Sequence, residues 1–463
     1  MRSGTATLAR PAGRAAREPA RSDPVAALAR RFAGREATVA VLGLGHVGLP
    51  LARAAAAAGF RAIGFDTDRA KIARLAAGES PLRHVPAEAL RALLGAGRLR
   101  PTGDAAALAE AEALILCVPT PLGPGREPDL GHVVAATRTV ARHLRPGRLV
   151  VLESTTWPGT TRGVVQPILE ETGLRCGRDF FLAYSPQRED PGNTRFPTEA
   201  IPKLVAGADP QARRLALALY GAIVARPVPV ASLEVAEAAK LAENVFRAVN
   251  IALANELKHS FAAMGLDAWE VIEAAATKPF GYVPFWPGPG PGGHCIPVDP
   301  HYRAWAARAH GAPARLVELA TALNEAAPRQ VLRALEAALR ARGEAGLAGR
   351  RVLVVGLGYK RNIADLRESP GLALLGMLRA EGAVAGYFDP LVPRIPPLPG
   401  HPGLAGLRGL SRDEAASGWD AALIATDHDG VDYAALLAAT PLVVDTRNLC
   451  ARLGLSGPQV VKA

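Results

Sequence analysis

The stretch Thr38-Val-Ala-Val-Leu-Gly43-Leu-Gly45-His-Val-Gly48 passes from a short apolar, β-branched segment into a glycine turn, and a helical pattern follows from Leu49 to Ala58. This order of strand, turn and helix is the context in which a GxGxxG spacing indicates a dinucleotide site. Gly43 allows the tight turn, Gly45 lets the backbone approach a pyrophosphate, and Gly48 lets helix and strand pack closely. The helix N-terminus would then receive the phosphate charge. The stretch therefore predicts a dinucleotide-binding α/β domain.

The next strand predicts which dinucleotide binds. Arg61–Phe65 ends at Asp66, 18 residues beyond Gly48. A carboxylate at this position would bond the ribose hydroxyls and repel a 2′-phosphate, so we expect NAD as the cofactor. The expected cofactor contacts in this unit are Gly43, Gly45, His46, Val47, Gly48, Asp66 and Arg69.

Two later strands of the same unit end in small hydroxyl residues. The strands are predicted over 113–118 and 148–153, with a helix around 131–144 between them, and Thr120 and Thr155 follow the two strands. Ligands of open parallel sheets bind at the carboxyl ends of strands, so both threonines are candidate contacts. On this argument alone, an ordinary turn or helix cap explains the two threonines better than a ligand contact does.

A second α/β unit repeats this pattern with one change. Arg351-Val-Leu-Val-Val-Gly356-Leu-Gly358 is again a strand entering a glycine turn, but Arg361 stands where the third glycine would be. Further strands are predicted at 384–388, 421–425 and 442–444. The turn is therefore not built for a dinucleotide, whereas Lys360, Arg361 and Arg367 would attract the phosphates of another nucleotide.

A long helix is predicted between the two units. Ser232 to Met264 contains neither proline nor glycine, Ser232 can cap the start, and Gly265 can end the helix, which would be about 50 Å long. Glu237, Lys240 and Asn244 recur on one face. A lysine and an asparagine one turn apart could donate to one oxyanion, although spacing alone favours a solvated charged face.

The segment Gly288-Pro-Gly-Pro-Gly-Gly-His-Cys295 presents one cysteine in a loop rich in glycine and proline. Glycine permits close approach to a ligand, and proline fixes the turns. Composition leaves two interpretations open, a reactive thiol and an incidental buried one. Together these segments predict an α/β fold with two doubly wound Rossmann-like domains, joined by a long central helix and a helical middle domain. The expected boundaries are 36–225, 226–342 and 343–463.

Composition limits the partners. The chain has 463 residues and a net charge of +11, but residues 1–35 alone carry +6, so the remainder carries only +5. We therefore expect no nucleic-acid partner and interpret 1–35 as a disordered basic extension. The sequence contains no run of 18 apolar residues, so we expect no membrane-spanning segment. The four cysteines lie far apart, without a CxxC pair, so we expect no metal site, reduced thiols and a cytoplasmic protein.

Several motifs closely resemble the UDP-glucose/GDP-mannose dehydrogenase family, in particular its UDP-N-acetylglucosamine 6-dehydrogenase branch. They are GLGHVGLPLA, CVPTPL, ESTTWPGTT, YSPQREDPGN, EAAKLAENVFRAVNIALANELK, ATKPFGYVPFWPGPGPGGHCIPVDP and YKRNIADLRESP. The resemblance implies an NAD-binding domain, a central domain with the cysteine loop, and a carboxyl-terminal UDP-binding domain. The length of the predicted central helix separately favours a dimer surface, so we expect a homodimer or higher homo-oligomer. It also implies the four-electron oxidation of the C6 alcohol of a nucleotide sugar to a carboxylate, with two NAD⁺ reduced per sugar.

The resemblance assigns roles to residues already selected. Cys295 would form first a thiohemiacetal and then a thioester, and covalent capture would divide the oxidation into easier steps. Lys240 and Asn244 would steady the oxyanion, and Asp299 would assist the water or base chemistry. Thr155 would position the water, and Thr120 would lie near the cofactor. The expected substrate contacts are Lys240, Asn244, Gly292, Lys360 and Arg367.

One position departs from the family pattern. The family has a glutamate in SPE where this chain has Gln187, and an amide cannot accept a proton at neutral pH. Glu189 and Asp299 are the candidate replacements, and the thioester is expected to accumulate on Cys295.

Alternative functions stay open at this point. UDP-N-acetylmannosamine and UDP-glucose are alternative substrates to UDP-N-acetylglucosamine. A hydroxyacid dehydrogenase would explain only the amino-terminal half of the chain. A catalytically impaired nucleotide-sugar-binding homologue would explain Gln187 but would not need the thiol.

Overall fold

The amino-terminal domain is built on a mostly parallel sheet. The computed structural model of the chain describes residues 23–82, 85–189, 196–398 and 400–463. The strands of the first sheet are β1 Thr38–Leu42, β2 Arg61–Phe65, β3 Leu99–Thr102, β4 Ala113–Leu116, β5 Arg148–Leu152, β6 Phe180–Tyr184, β7 Lys203–Gly207 and β8 Pro227–Pro229. Their order is β3-β2-β1-β4-β5-β6-β7-β8, and β6 and β7 form the antiparallel pair. The order reverses beside β1, which is where open α/β sheets bind ligands.

Helices cover both faces of this sheet, as an all-buried central strand requires. They are α1 Pro24–Ala33, α2 Gly48–Ala58, α3 Arg69–Ala76, α4 Ala87–Gly95, α5 Gly131–His143, α6 Gln166–Glu170 and α7 Pro210–Gly221. The predicted strands β1 and β2 have the expected bounds, and the predicted helix around 131–144 is α5. Strands β4 and β5 end one or two residues earlier than expected, at Leu116 and Leu152.

The interpretation of 1–35 as a disordered extension is wrong for its carboxyl-terminal part. Asp23 accepts a hydrogen bond from the Val25 amide and caps α1, which packs against α7. Phe32 on this helix is fully buried. An apolar face on a short arginine-rich helix therefore completes the first core, and the composition of the segment concealed it. Residues 1–22 lie outside the described part of the chain.

The middle of the chain is helical, as predicted. Its helices are α8 Leu233–Ala263, α9 Ala268–Ala276, α10 Cys295–Ala309 and α11 Arg315–Ala341. The Ser232 hydroxyl caps α8 by accepting from the Val235 amide, and Gly265 follows the helix with φ +75°. Both predicted ends of the long helix are confirmed. Helices α10 and α11 pack on α8, so α8 supports the cysteine loop from one side.

The carboxyl-terminal domain is a second parallel α/β unit. Its strands are β9 Arg351–Val355, β10 Val384–Phe388, β11 Ala421–Ile424, β12 Val443–Asp445 and β13 Val460–Lys462, in the order β10-β9-β11-β12-β13. Its helices are α12 Pro370–Ala380, α13 Arg412–Ala415, α14 Tyr433–Ala439 and α15 Leu449–Arg452. The predicted fold class is confirmed: two Rossmann-like sheets with a long central helix between them.

Candidate active site

The cysteine loop packs directly against the carboxyl-terminal domain. Cys295 is the first residue of α10, and the Gly293 amide donates to the Arg367 carbonyl at 2.9 Å. A Cβ on Gly292 would lie 2.6 Å from Tyr359 Cβ and 2.9 Å from the Glu368 carbonyl oxygen. Contacts this short leave no room for a side chain, so Gly292 lets the loop approach the second nucleotide domain. This packing against the carboxyl-terminal domain is enough to explain why residue 292 is a glycine, without a contact to the substrate.

The predicted polar face of α8 is turned inward. Lys240 and Asn244 are only 5% and 3% exposed, and Asn244 Nδ2 donates to Asp299 Oδ2 at 2.5 Å. Asp299 is 1% exposed and lies one turn after Cys295 on α10. The expectation of a solvated charged face is therefore wrong, because α10 covers this side of α8.

Glu237, the third member of that face, has a different partner. Its carboxylate accepts from the Gly159 amide at 2.6 Å and from the Thr161 amide at 2.8 Å, and the Thr161 hydroxyl also donates to it. Glu237 is fully buried and joins the start of α8 to the first domain. Its position supports a structural role.

The charges around Cys295 are mixed. Burial and the Asp299 carboxylate raise the pKa of the Cys295 thiol, whereas Lys240, Arg247 and Arg367 act in the opposite direction. Burial raises the pKa of Asp299 to about 6, although Lys240 and the hydrogen bond from Asn244 lower it. A thiol with a raised pKa needs a nearby proton acceptor to become a nucleophile, and a carboxyl of pKa about 6 is largely ionised at neutral pH.

The first and third domains meet beside this cysteine. Arg367 forms a two-pronged pair with Asp365, with Nε–Oδ1 and Nη2–Oδ2 distances of 3.0 and 2.6 Å. His46 Nε2, in the first glycine turn, lies 3.7 Å from Asp365 Oδ2. His294 is next to Cys295, and burial together with Arg367 lowers its pKa to about 4. The expected cofactor residue His46 and the expected substrate residue Arg367 thus belong to one cluster.

Sequence reasoning missed three members of this site, namely Arg247, His294 and Asp365. Arg247 had a usable signal, since it follows Asn244 by three residues on the same predicted helix. His294 and Asp365 had none, because their positions depend on how the domains meet.

The first glycine turn has the shape that NAD requires. Gly43 has φ +92°, and a Cβ there would lie 2.6 Å from the Cys117 carbonyl oxygen, whereas a Cβ on Gly45 would have no atom within 4 Å. The backbone is therefore open at Gly45, where a pyrophosphate would approach. Gly48 begins α2, and its missing side chain brings the helix onto Gly43. These observations fit a dinucleotide.

Asp66 lies at the end of β2, as predicted. It accepts from the Leu44 amide at 2.8 Å and from Lys71 Nζ at 2.7 Å. Burial raises the pKa of Asp66, but these bonds and one from the Asp68 amide bring it below its usual value. The group is therefore a carboxylate, as ribose binding needs. Arg69 is exposed at the start of α3.

The second glycine turn uses its own amides internally. Asp389 Oδ2 accepts from the Leu357 amide at 2.6 Å, from the Gly358 amide at 3.0 Å, and contacts His428 Nε2 at 3.1 Å. Asp66 accepts from the Leu44 amide in the same way, so these contacts do not distinguish the two turns, and the prediction that this turn holds no dinucleotide stays a prediction. Lys360 is half-buried in the same turn.

The remaining expected site residues lie at strand ends. Thr120 is buried next to His294 and Tyr302. Thr155 is half-buried and follows Ser154. The Ser154 hydroxyl accepts from the Val118 amide at 3.0 Å and donates to the Val118 carbonyl at 2.7 Å.

Gln187 and Val47 line a separate small cavity with Glu189. Gln187 Nε2 donates to the Glu189 carbonyl at 2.8 Å. Burial raises the pKa of Glu189 to about 7. The DPGN motif, at 190–193, lies outside the described residues.

Family domains match the chain in the order in which the two nucleotide sites occur. The NAD binding domain of the UDP-glucose/GDP-mannose dehydrogenase family matches residues 37–224, the central domain 234–326 and the UDP binding domain 353–452. The chain belongs to this family. It is therefore an NAD-dependent oxidoreductase of nucleotide sugars, and Cys295 lies in the stretch between its NAD-binding and UDP-binding domains.

Individual relatives agree with this assignment. A UDP-N-acetyl-D-glucosamine 6-dehydrogenase of Pseudomonas aeruginosa is 37% identical over 77% of this chain and 84% of its own length. A UDP-N-acetyl-D-mannosamine dehydrogenase of Pyrococcus horikoshii is 34% identical over 84% of this chain and 89% of its own. The solved structure of a UDP-D-ManNAc dehydrogenase from Pyrococcus horikoshii aligns with a TM-score of 0.81 and 32% identity, covering 92% of this chain and 98% of that one.

No helix in the described part of the chain is both long enough and apolar enough to cross a membrane.

Proposed function

We propose that this family member oxidises the C6 alcohol of a UDP-N-acetylhexosamine to the uronic acid through covalent intermediates on Cys295. The observation that carries the proposal is the position of Cys295. It begins α10 beside the buried Lys240, Asn244 and Asp299, between the NAD-binding and UDP-binding domains. A protein that only binds nucleotide sugars has no use for a thiol surrounded in this way.

Bound NAD would supply the hydride acceptor for each of the two oxidations, held by the turn at Gly43–Gly48 and by Asp66. The residues of the chain supply the remaining chemistry. Asn244 has two N–H donors and gives one to Asp299, so the other is available to an oxyanion on the sugar carbon. Lys240 is buried beside it, and its positive charge would stabilise the same oxyanion.

Release of the product needs a base. Water adds to the thioester carbonyl, the carbon–sulfur bond breaks, the sugar carboxylate leaves and the thiol of Cys295 is regenerated. Asp299 is one candidate acceptor for the proton of the water, because it lies on the same helix as the thiol and has a pKa of about 6. Glu189 is the other, with a pKa of about 7 beside Gln187.

The sugar is proposed from the relatives. UDP-N-acetylglucosamine is favoured because the motifs around Gln187 and Cys295 resemble that branch, and a relative with this activity is 37% identical. UDP-N-acetylmannosamine is the first alternative, because a relative named for it and its solved structure also match over most of the chain. UDP-glucose is the second alternative.

The decisive experiment measures NADH production by the purified full chain against a panel of UDP-sugars, with Cys295→Ser as the control. We expect two NADH per UDP-N-acetylglucosamine consumed, and loss of the uronic acid product in the serine variant. One NADH per sugar, or unchanged product formation by Cys295→Ser, would contradict the covalent route. No NADH with any sugar would favour the binding-protein alternative.

We also propose that the chain acts in the cytoplasm as a homodimer. Val235, Phe246 and Leu253 recur along one face of α8 and are each about half exposed, at 48%, 50% and 48%. Phe246 also contacts Phe285 of the neighbouring loop edge to face, at a centroid distance of 5.7 Å. An apolar stripe of this length on a single helix favours a protein partner, and a second copy of α8 would cover it.

A further inference from the structure

A buried ion pair joins Glu153, at the carboxyl end of β5, to Lys203, the first residue of β7. Lys203 Nζ is 2.9 Å from Glu153 Oε2, and the two residues are 8% and 1% exposed. The Tyr220 hydroxyl donates to Glu153 Oε1 at 2.5 Å, and Lys203 Nζ lies 5.0 Å from the centre of the Tyr220 ring. Both members of the pair are therefore almost fully buried and have defined polar partners.

The ammonium group connects two turns that carry expected site residues. Glu153 directly follows β5 and is two residues before Thr155. Lys203 Nζ also donates to the Pro186 carbonyl at 3.4 Å, directly before Gln187. One cation thus holds both the turn of Thr155 and the turn of Gln187.

A second contact fixes the same turn. The Ser185 hydroxyl donates to the Leu204 carbonyl at 2.7 Å, so the first two residues of β7 hold Ser185 and Pro186 together. Gln187 then turns back onto the Glu189 carbonyl. The backbone directly before Gln187 is therefore fixed by contacts with β7, and these contacts do not involve the Gln187 side chain.

Neither stability nor ligand binding explains the pair well. Burying two charges removes them from water, and an apolar pair of similar volume is often as stable or more so. The adjoining cavity, lined by Gln187, Glu189, Glu153 and Lys203 among others, has a volume of about 30 Å³. That is room for one or two waters and far too little for a sugar or a nucleotide.

We propose that Lys203 is a positioning residue for the dehydrogenase reaction. Its ion pair with Glu153 fixes the turn of Thr155, and its hydrogen bond to the Pro186 carbonyl fixes the turn of Gln187. This inference rests on the proposed function. Without the ammonium, the two turns lose their common anchor, and a displacement of about 1 Å at a reacting group can reduce a rate by about 10²-fold.

The test separates positioning from stability with a charge-neutral double variant. Lys203→Met alone leaves the Glu153 carboxylate buried and unpaired, so its melting temperature is expected to fall. Glu153→Gln/Lys203→Met removes both charges but keeps an acceptor for the buried Tyr220 hydroxyl, and its melting temperature is expected to return close to that of the wild type. Arg100→Met, which breaks the exposed Arg100–Glu110 pair, is the control and should change neither stability nor rate.

Two readouts decide the matter. We expect the double variant to keep near-native KM values, to lose at least tenfold in kcat, and to show faster hydrogen exchange at the backbone amides of Ser185 and of residues 187–189. A double variant with restored stability, native kcat and native exchange would overturn the proposal and leave a purely structural pair. If the wild type oxidises no UDP-sugar, the proposed function fails, while the exchange measurement still decides whether Lys203 holds this turn.

Discussion

At the scale of single residues, Asp299 is buried, accepts a hydrogen bond from Asn244, and lies one turn after Cys295 on α10. Burial raises its pKa to about 6, so the carboxylate form, which can accept a proton, is gained as the pH rises through this value. Since thioester hydrolysis follows both hydride transfers, we expect kcat to rise with pH through about 6 and to level off above it. Rate measurements between acidic and mildly alkaline pH check this expectation.

Asp299→Asn is the matched variant for this profile. It should lose the acidic limb together with about 10²–10⁴-fold in rate, which is the usual contribution of a general base. An acidic limb that persists near 7 in Asp299→Asn and disappears in Glu189→Gln would instead assign the base to Glu189, whose pKa is about 7.

Gln187 leads to a second prediction at this scale. Because its amide cannot accept a proton, hydrolysis of the thioester should limit turnover, and an adduct should accumulate on Cys295. Intact-mass analysis during turnover should show the protein heavier by the bound acyl group. Gln187→Glu should reduce this adduct and raise kcat; absence of an adduct, with no gain in the glutamate variant, would contradict the expectation.

At the scale of elements, α8 is a support as well as a source of site residues. Its uninterrupted run without glycine or proline makes it rigid, and Glu237 attaches its first turns to the amides of Gly159 and Thr161. The positions of Lys240 and Asn244 therefore depend on this attachment, because they follow Glu237 on the same buried face.

Glu237→Ala should destabilise the protein through this attachment. It leaves the Gly159 and Thr161 amides buried without an acceptor, at a cost of about 2 kcal/mol or more. We expect a lower melting temperature in calorimetry. Glu234→Ala is the control on the same helix, since Glu234 pairs with Arg162 at 2.9 Å on the surface and should change stability by less than about 1 kcal/mol. Equal effects of the two variants would contradict a special role for Glu237.

At the scale of the whole molecule, the cysteine loop is where the domains meet. Gly292 has no room for a side chain against Tyr359, Glu368 and Pro370 of the carboxyl-terminal domain. Gly292→Ala should therefore push the loop away from that domain and weaken binding of UDP, as measured by calorimetric titration. Gly403→Ala, with no atom within 4 Å of the new Cβ, is the control and should bind UDP normally. Normal affinity in Gly292→Ala would show that the contact does not shape the UDP site.

The apolar stripe on α8 leads to a prediction about assembly. Phe246→Asp places a charge at the centre of the stripe formed by Val235, Phe246 and Leu253, and should convert the proposed dimer to a monomer. Light scattering coupled to size exclusion measures the mass directly. Val384→Asp is the control, because Val384 is similarly exposed, at 58%, but lies on the carboxyl-terminal domain. A wild-type monomer, or a Phe246→Asp variant of unchanged mass, would contradict dimerisation through α8.

The sequence by itself determined the features that depend on neighbouring residues. The apolar runs, glycine turns and caps were enough to place β1, β2, β10 and both ends of α8, because strand, turn and cap preferences act over a few positions. They were also enough to distinguish the two glycine turns, whereas the catalytic role of Cys295 came from the family resemblance and stays a prediction. The charged face of α8 was misjudged, because spacing identifies a shared face but not what covers it.

The tertiary structure alone decided which polar groups are buried and with whom. The Asn244–Asp299 bond, the meeting of His46 with Asp365, and the Glu153–Lys203 pair each join residues far apart in the chain. The tertiary structure also decided the role of helix α1, because its apolar face joins the first core only through packing against α7. The physical reason is that burial and charge pairing are set by packing between elements, whereas local propensity is set within them.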